Sequence, residues 1–319
     1  MSWRRRLLIL GLGLGVLLFL RQVWVSYRAI QQHDLILVRP LLLLASLGAG
    51  ILVYAAWLTS WTLIMRHLGV PLAPREVVQG FYLSFLPRYI PGTVWGYLTR
   101  SEWLEQAFGV PYSVSVLGSV LEALGLLLTG LFMVGVFFCQ QTTGSVQLVV
   151  AAASAGLLLL TWLIVPGLAM RVNRLIRREK SAPSRGGRRP SAAWSGALLL
   201  HLVLWLAFGA SLLFVAKSIA VIPSFDLLSS TFAASLSWIV GFLVIIVPTG
   251  LGVRELTLST LLSSYAGFRP WQADVVAVVS RLAIVLAELA WLLVGLLFYG
   301  HSKRRASAHR VSSPAPGEE

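Results

Sequence analysis

The chain has 319 residues, 57% of them hydrophobic and 12% charged, with a mean hydropathy of +0.80. That balance excludes an ordinary soluble domain. A net charge of +14 would suit nucleic acid, but the basic residues flank apolar runs, where anionic lipid headgroups are the nearer partner. Nucleic acid is set aside.

A helix needs roughly 20 apolar residues to cross about 30 Å of hydrocarbon. Residues 7–20 follow Arg4, Arg5 and Arg6 and extend through Val25 if Arg21 snorkels to the interface. No small-x-small cleavage site follows Leu20, so the segment reads as a retained anchor rather than a signal peptide. Gly11 and Gly15 within it match a small-residue helix-packing pattern, and no function is assigned to them. Residues 41–65 form the next span.

Residues 77–98 are apolar but interrupted by Pro87, Arg88, Pro91 and Gly92, and are too short for two crossings. A re-entrant hairpin is expected there. Residues 114–138 and 146–170 are full spans, and 194–216 another. Residues 227–268 are broken at Pro248, Thr249, Gly250, Leu251 and Gly252, because proline and glycine disfavour continued helix. The first arm, 227–247, is long enough to span, so two full crossings stay open beside a second hairpin. Residues 274–300 complete the set, and 301–319 form a polar tail expected to be disordered.

The fold class is therefore an all-α polytopic membrane protein with about six full transmembrane helices and two broken or re-entrant hairpins, or eight spans if the hairpins cross fully. A shift of 157 residues carries Pro91 onto Pro248 and Val114 onto Trp271, which suggests an inverted repeat. Residues 1–300 form one transmembrane domain, with halves at roughly 36–170 and 194–300. Arginine and lysine cluster at 4–6, 171–189 and 303–310, and such clusters stay cytoplasmic. Both termini and the basic loop 171–193 are placed inside, with the chain in the cell membrane.

Two broken segments supply candidate binding residues. In the first, Arg88, Pro91, Gly92, Thr93 and Arg100 lie where a second arm starting after Pro91 would leave amide N–H groups free to attract an anion. In the second, Gly250 and Gly252 let backbone approach a ligand, Arg254 can clamp a phosphate with its planar fork, and Glu255 follows it. Glu122, Arg281 and Glu288 are charges inside spans, where each costs about 2.5–3.5 kcal/mol on insertion scales and needs a partner. Glu122 could answer Arg281 or Arg100, while Arg281 and Glu288 share a helix face without pairing. All twelve of these residues are candidates for substrate binding.

No histidine or cysteine spacing suggests a metal site, no nucleotide-binding loop is present, and no catalytic residue or cofactor is assigned. The twelve tryptophans, Trp3, Trp103 and Trp194 among them, read mostly as interfacial anchors.

The stretches Arg88 to Arg100, RYIPGTVWGYLTR, and Pro248 to Glu255, PTGLGVRE, resemble the two signature stretches of the lysylphosphatidylglycerol synthase transmembrane family. That family includes the flippase region of the bacterial multiple peptide resistance factor, and it commonly has an acidic residue where Glu122 stands. Thr249 departs from the family's usual Pro-Gly-Gly-Leu-Gly, a change expected to matter little if Gly250 and Gly252 make the turn. The resemblance implies translocation of an anionic or aminoacylated phospholipid or lipid-linked headgroup. The alternative it implies is a membrane-embedded enzyme, or a partner subunit, working with a glycosyltransferase or lipid-modifying enzyme on lipid-linked sugars. The topology is directly testable: reporter fusions at Arg185 and at the C-terminus should both report the cytoplasmic side, and opposite readings would refute it.

Overall fold

The computed structural model of the chain describes residues 3–32, 39–90, 94–177, 191–220, 222 and 224–311. These form ten α-helices: α1 (Trp3–Gln32), α2 (Pro40–His67), α3 (Pro74–Phe85), α4 (Trp95–Phe108), α5 (Tyr112–Gln141), α6 (Gly144–Arg177), α7 (Ala192–Ile219), α8 (Leu227–Leu243), α9 (Val253–Tyr265) and α10 (Pro270–Val311). Two 3-10 turns, Leu86–Tyr89 and Pro248–Gly250, lie inside the broken segments. Five helices, α2, α5, α6, α7 and α10, are long and apolar enough to cross a membrane, and α1 has 30 residues. The chain is an all-α polytopic membrane protein.

The hairpin arms are short. At 1.5 Å per residue, the 12 residues of α3 and 14 of α4 reach about 18 and 21 Å, and the 17 of α8 and 13 of α9 about 26 and 20 Å. Each falls below the roughly 30 Å of a bilayer core, so both segments have the dimensions of hairpins. The arm expected to run from 227 to 247 stops at Leu243 because Pro248 disfavours helical backbone before it, and Val247 is extended at φ −96° and ψ 126°. Asp226 starts this arm by accepting the Ser229 backbone N–H at 2.8 Å. That bond holds its carboxyl below the ordinary aspartate range.

The helix order from α2 to α5, long, short, short, long, recurs from α7 to α10. The packing repeats with it. Helix α5 packs on the first arm of the other half, α8, with Phe137 stacked on Phe232 at 4.1 Å. Helix α10 packs likewise on α3, where Gly295 meets Tyr82. The first helices of the halves, α2 and α7, run antiparallel: Ser46 hydrogen-bonds Ser211 at 2.9 Å, while at the other end His67 reaches Ser191 at 2.6 Å. The halves are thus related by an approximate two-fold exchange that reverses direction, as the shift in sequence suggested.

Helices α1 and α6 lie outside this exchange. Only 6% of the apolar window of α6 is buried, and the helix packs on α5 with the rest of its apolar surface facing outward. Helix α1 braces the second break, with Gly15 against Val247 and Leu251 and Gly252 against Leu18. Helix α6 continues to Arg177 and α10 to Val311. The basic loop therefore starts after the boundary expected at 170, and the tail expected from 301 is helical through 311, where alanine, lysine and arginine favour helix. Residues 178–190 and 312–319 lie outside the described residues.

Close helix approach predicts where a methyl group cannot be added. A Cβ at Gly209 would collide with Thr231 Oγ1, whereas one at Gly48 meets nothing within 4 Å. Gly209→Ala should lower stability in detergent by about 1–3 kcal/mol, and Gly48→Ala should leave it unchanged or slightly raised. Equal melting temperatures for the two variants would contradict this packing.

Candidate functional site

Where the two breaks meet, a cavity of about 120 Å³ opens between α2, the first hairpin, α8 and α10. This is well beyond the roughly 10–15 Å³ that one water requires. Arg88, Arg100, Glu122, Arg254, Arg281 and Glu288 all line it, together with Thr249 and Gly96. Glu255 borders a smaller void next to it, shared with Arg254 and Arg281. Seven of the charges singled out in the sequence therefore converge.

Six of the seven form three ion pairs. Arg88 meets Glu288 at 2.8 Å, Arg100 meets Glu122 at 2.7 Å and Arg281 meets Glu255 at 3.3 Å. Arg281 and Glu288, two turns apart on α10, do not pair with each other: one holds the second break and the other the first. Tyr89 adds a hydrogen bond to Glu288 at 3.0 Å, and Arg281 donates to the Thr249 hydroxyl at 3.1 Å. Glu122 also accepts the Trp57 indole N–H at 2.7 Å, and Arg100 donates to Ser119 at 2.8 Å while lying 3.9 Å over the Trp61 ring.

Arg254 differs. Its guanidinium sits 4.6 Å over the Phe208 ring and makes no hydrogen bond or ion pair among the described residues. Glu255, its neighbour in sequence, points elsewhere. One Glu255 oxygen accepts the Gly252 backbone N–H at 2.6 Å and the other faces Arg281. Glu255 is thus a helix-capping residue, 1% exposed, which fixes the start of α9 by accepting the Gly252 amide. An Arg254–Glu255 pair does not form.

Pro91, Gly92 and Thr93 lie outside the described residues, and α4 begins at Trp95, after Val94. The second break departs at Thr249, which adopts φ +50°, a region unfavourable to β-branched residues. The turn is made by Thr249 together with Gly250 at φ +68° and Gly252 at φ +80°.

The aromatic wall was missed. Tyr54, Trp57, Phe81, Tyr97, Trp238 and Phe242 line the cavity, and Trp61, Trp194 and Trp205 are fully buried. Trp194, read as an interfacial anchor, packs against His67 instead. A signal was present: Tyr54, Trp57 and Trp61 fall at i, i+3 and i+7 in the middle of a span, on one helix face.

A family model for the lysylphosphatidylglycerol synthase TM region matches residues 6–297. The chain belongs to this family. No curated protein matches it.

The Arg100–Glu122 pair is buried enough to test by charge balance. Arg100→Ala leaves Glu122 buried without its cation, with the Trp57 indole as its remaining partner, and should cost about 3–5 kcal/mol, whereas removing both charges with Arg100→Met and Glu122→Leu should recover most of that loss. Thermal unfolding in detergent measures both. A double variant as unstable as the single one would show that the pair is not what the site needs.

Proposed function

We propose that this protein binds an anionic lipid headgroup in the cavity between the two breaks and moves it between leaflets, as a flippase-like transporter. The observation that carries this reading is Arg254: a guanidinium facing a cavity in an apolar protein, without a carboxylate, beside a broken helix. Such a charge is costly in hydrocarbon, and a phosphate would complete it with two parallel hydrogen bonds. Arg88 and Arg281 face the same space and are the further headgroup contacts, with Thr249 beside them.

Three further features support the reading. Transporters with inverted repeats place substrate where broken helices meet. A second recess of about 40 Å³, walled by Val53, Leu126, Leu204, Trp205 and Phe208, adjoins Arg254, which suits hydrocarbon next to a charged group. The family name itself associates these membrane regions with a phospholipid. The protein acts as one transmembrane unit over residues 1–300 in the cell membrane, with both termini and the loop at 171–193 cytoplasmic.

An enzyme acting on lipid-linked sugars, with or beside a glycosyltransferase, is the competing reading. It needs a carboxylate free to take a proton, and Glu122, Glu255 and Glu288 each face an arginine. Transport is therefore favoured.

Purified protein in liposomes should accelerate the exchange of labelled phospholipid between leaflets. Arg254→Ala should stay folded and lose that activity at least several-fold, with Arg254→Lys intermediate because it keeps charge but loses the fork. No acceleration over empty liposomes across several lipids would sink the proposal.

A further inference from the structure

We propose that Asp274 is a proton-binding site, and that an anionic headgroup enters the cavity together with a proton on this carboxyl. This rests on the lipid-transport reading above and names the ion that drives it.

Asp274, Arg281 and Glu288 follow one another at intervals of seven along one face of α10. Asp274 is half-buried and ties α10 to both elements that frame the second break. Its Oδ1 accepts from the Gln22 carboxamide of α1 at 2.6 Å and from the Ser259 hydroxyl of α9. Among the described residues its Oδ2 accepts nothing and no cation pairs with it. The cavity glutamates differ: both oxygens of Glu122 and of Glu288 accept a donor, and each of the three faces an arginine. A proton can therefore be added at Asp274 Oδ2 without breaking a hydrogen bond or an ion pair. Ser26, one turn along α1 from Gln22, is 4% exposed with its hydroxyl unpartnered among the described residues. A water there would complete the hydroxyl and extend a polar path from the carboxyl.

Charge couples this proton to the headgroup. The elements that hold Asp274 bring Arg21 and Arg28 on α1, both exposed, and Arg254 and Glu255 on α9. Arg254 faces the cavity, while Glu255 and Arg281 face each other. Arg281 lies about 10.5 Å along α10 from Asp274. With Asp274 ionised, four carboxylates balance Arg88, Arg100, Arg254 and Arg281. Protonation leaves one positive charge in excess, which a phosphate then balances. Each event favours the other by the same factor. The proton is taken from water on one side and returned to water on the other, and the only bond made and broken is Oδ2–H.

The test is phosphatidylglycerol binding to the purified full-length protein in neutral detergent as pH falls from about 8 to about 4.5, a range that titrates carboxylic acids while the phosphodiester stays charged. Affinity should rise at least about fivefold, and in weakly buffered detergent the wild type should take up protons when the lipid is added. Asp274→Asn, which keeps the shape of the neutral acid, should bind at the acid-side affinity at every pH and take up none. In liposomes, an acidic exterior should drive labelled phosphatidylglycerol into the inner leaflet beyond the level in empty liposomes under the same gradient. A wild-type affinity that does not change with pH, or an unaltered pH profile in Asp274→Asn, would overturn the inference while leaving exchange between leaflets standing. Should the variant not fold, lipid binding by the wild type without proton uptake overturns it equally. No phosphatidylglycerol binding at any pH would overturn both this inference and the lipid-binding reading.

Discussion

Two charges on one face of α10 hold the centre of this protein together. Arg281 and Glu288 stand two helical turns apart; the first engages Glu255 and Thr249 of the second break, the second engages Arg88 and Tyr89 of the first. Both interrupted segments are thereby fastened to a single continuous helix. In hydrocarbon neither unpaired charge nor unsatisfied backbone is tolerated, so breaks of this kind persist only where protein groups or a polar cavity receive them. The ion pairs fix the geometry of the breaks more than they add to stability, since buried pairs roughly offset their own desolvation.

The approximate two-fold symmetry of the helices does not extend to the charges. Arg100 and Glu122 join α4 to α5 in the first half, whereas at the corresponding junction of the second half α9 and α10 are joined by Glu255 and Arg281, with the signs exchanged. Arg254 has no carboxylate partner among the described residues. A symmetrical scaffold thus encloses one asymmetrical site, with a single excess cation among the described residues of the cluster. That excess gives the cavity a polarity that the backbone plan alone does not require.

Tight backbone contacts position the surrounding helices. The second break is pressed between α1 and α8: Gly252 lies against Leu18, Gly250 against the Gly241 backbone, and Gly15 against Val247. Between membrane helices the drive to associate comes from such van der Waals packing rather than from expulsion of water, and glycine permits the approach. The anchor segment at the N-terminus is therefore part of the site's support. Thr249, at positive φ with its hydroxyl on Arg281, stores local strain directly at the cavity wall.

The sequence by itself determined the class of the protein, its long helices, the positions of both breaks, the repeat and most of the charged residues. Each of these depends on local physics: apolar length against bilayer thickness, proline and glycine against helix, and the cost of a charge in hydrocarbon. Pairing was another matter. That Glu122 faces Arg100, that Glu255 caps its own helix and faces Arg281, and that Arg254 is left over all depend on helix rotation and on contacts between segments far apart in the chain. Hydropathy has no memory of which way a side chain points. For the same reason the aromatic wall went unseen: Trp57 and Trp238 are ordinary apolar residues until α2 and α8 turn them towards one cavity. Only the tertiary structure decided which candidate charge is left without a carboxylate among the described residues, because pairing depends on which side chains the helices turn towards one another.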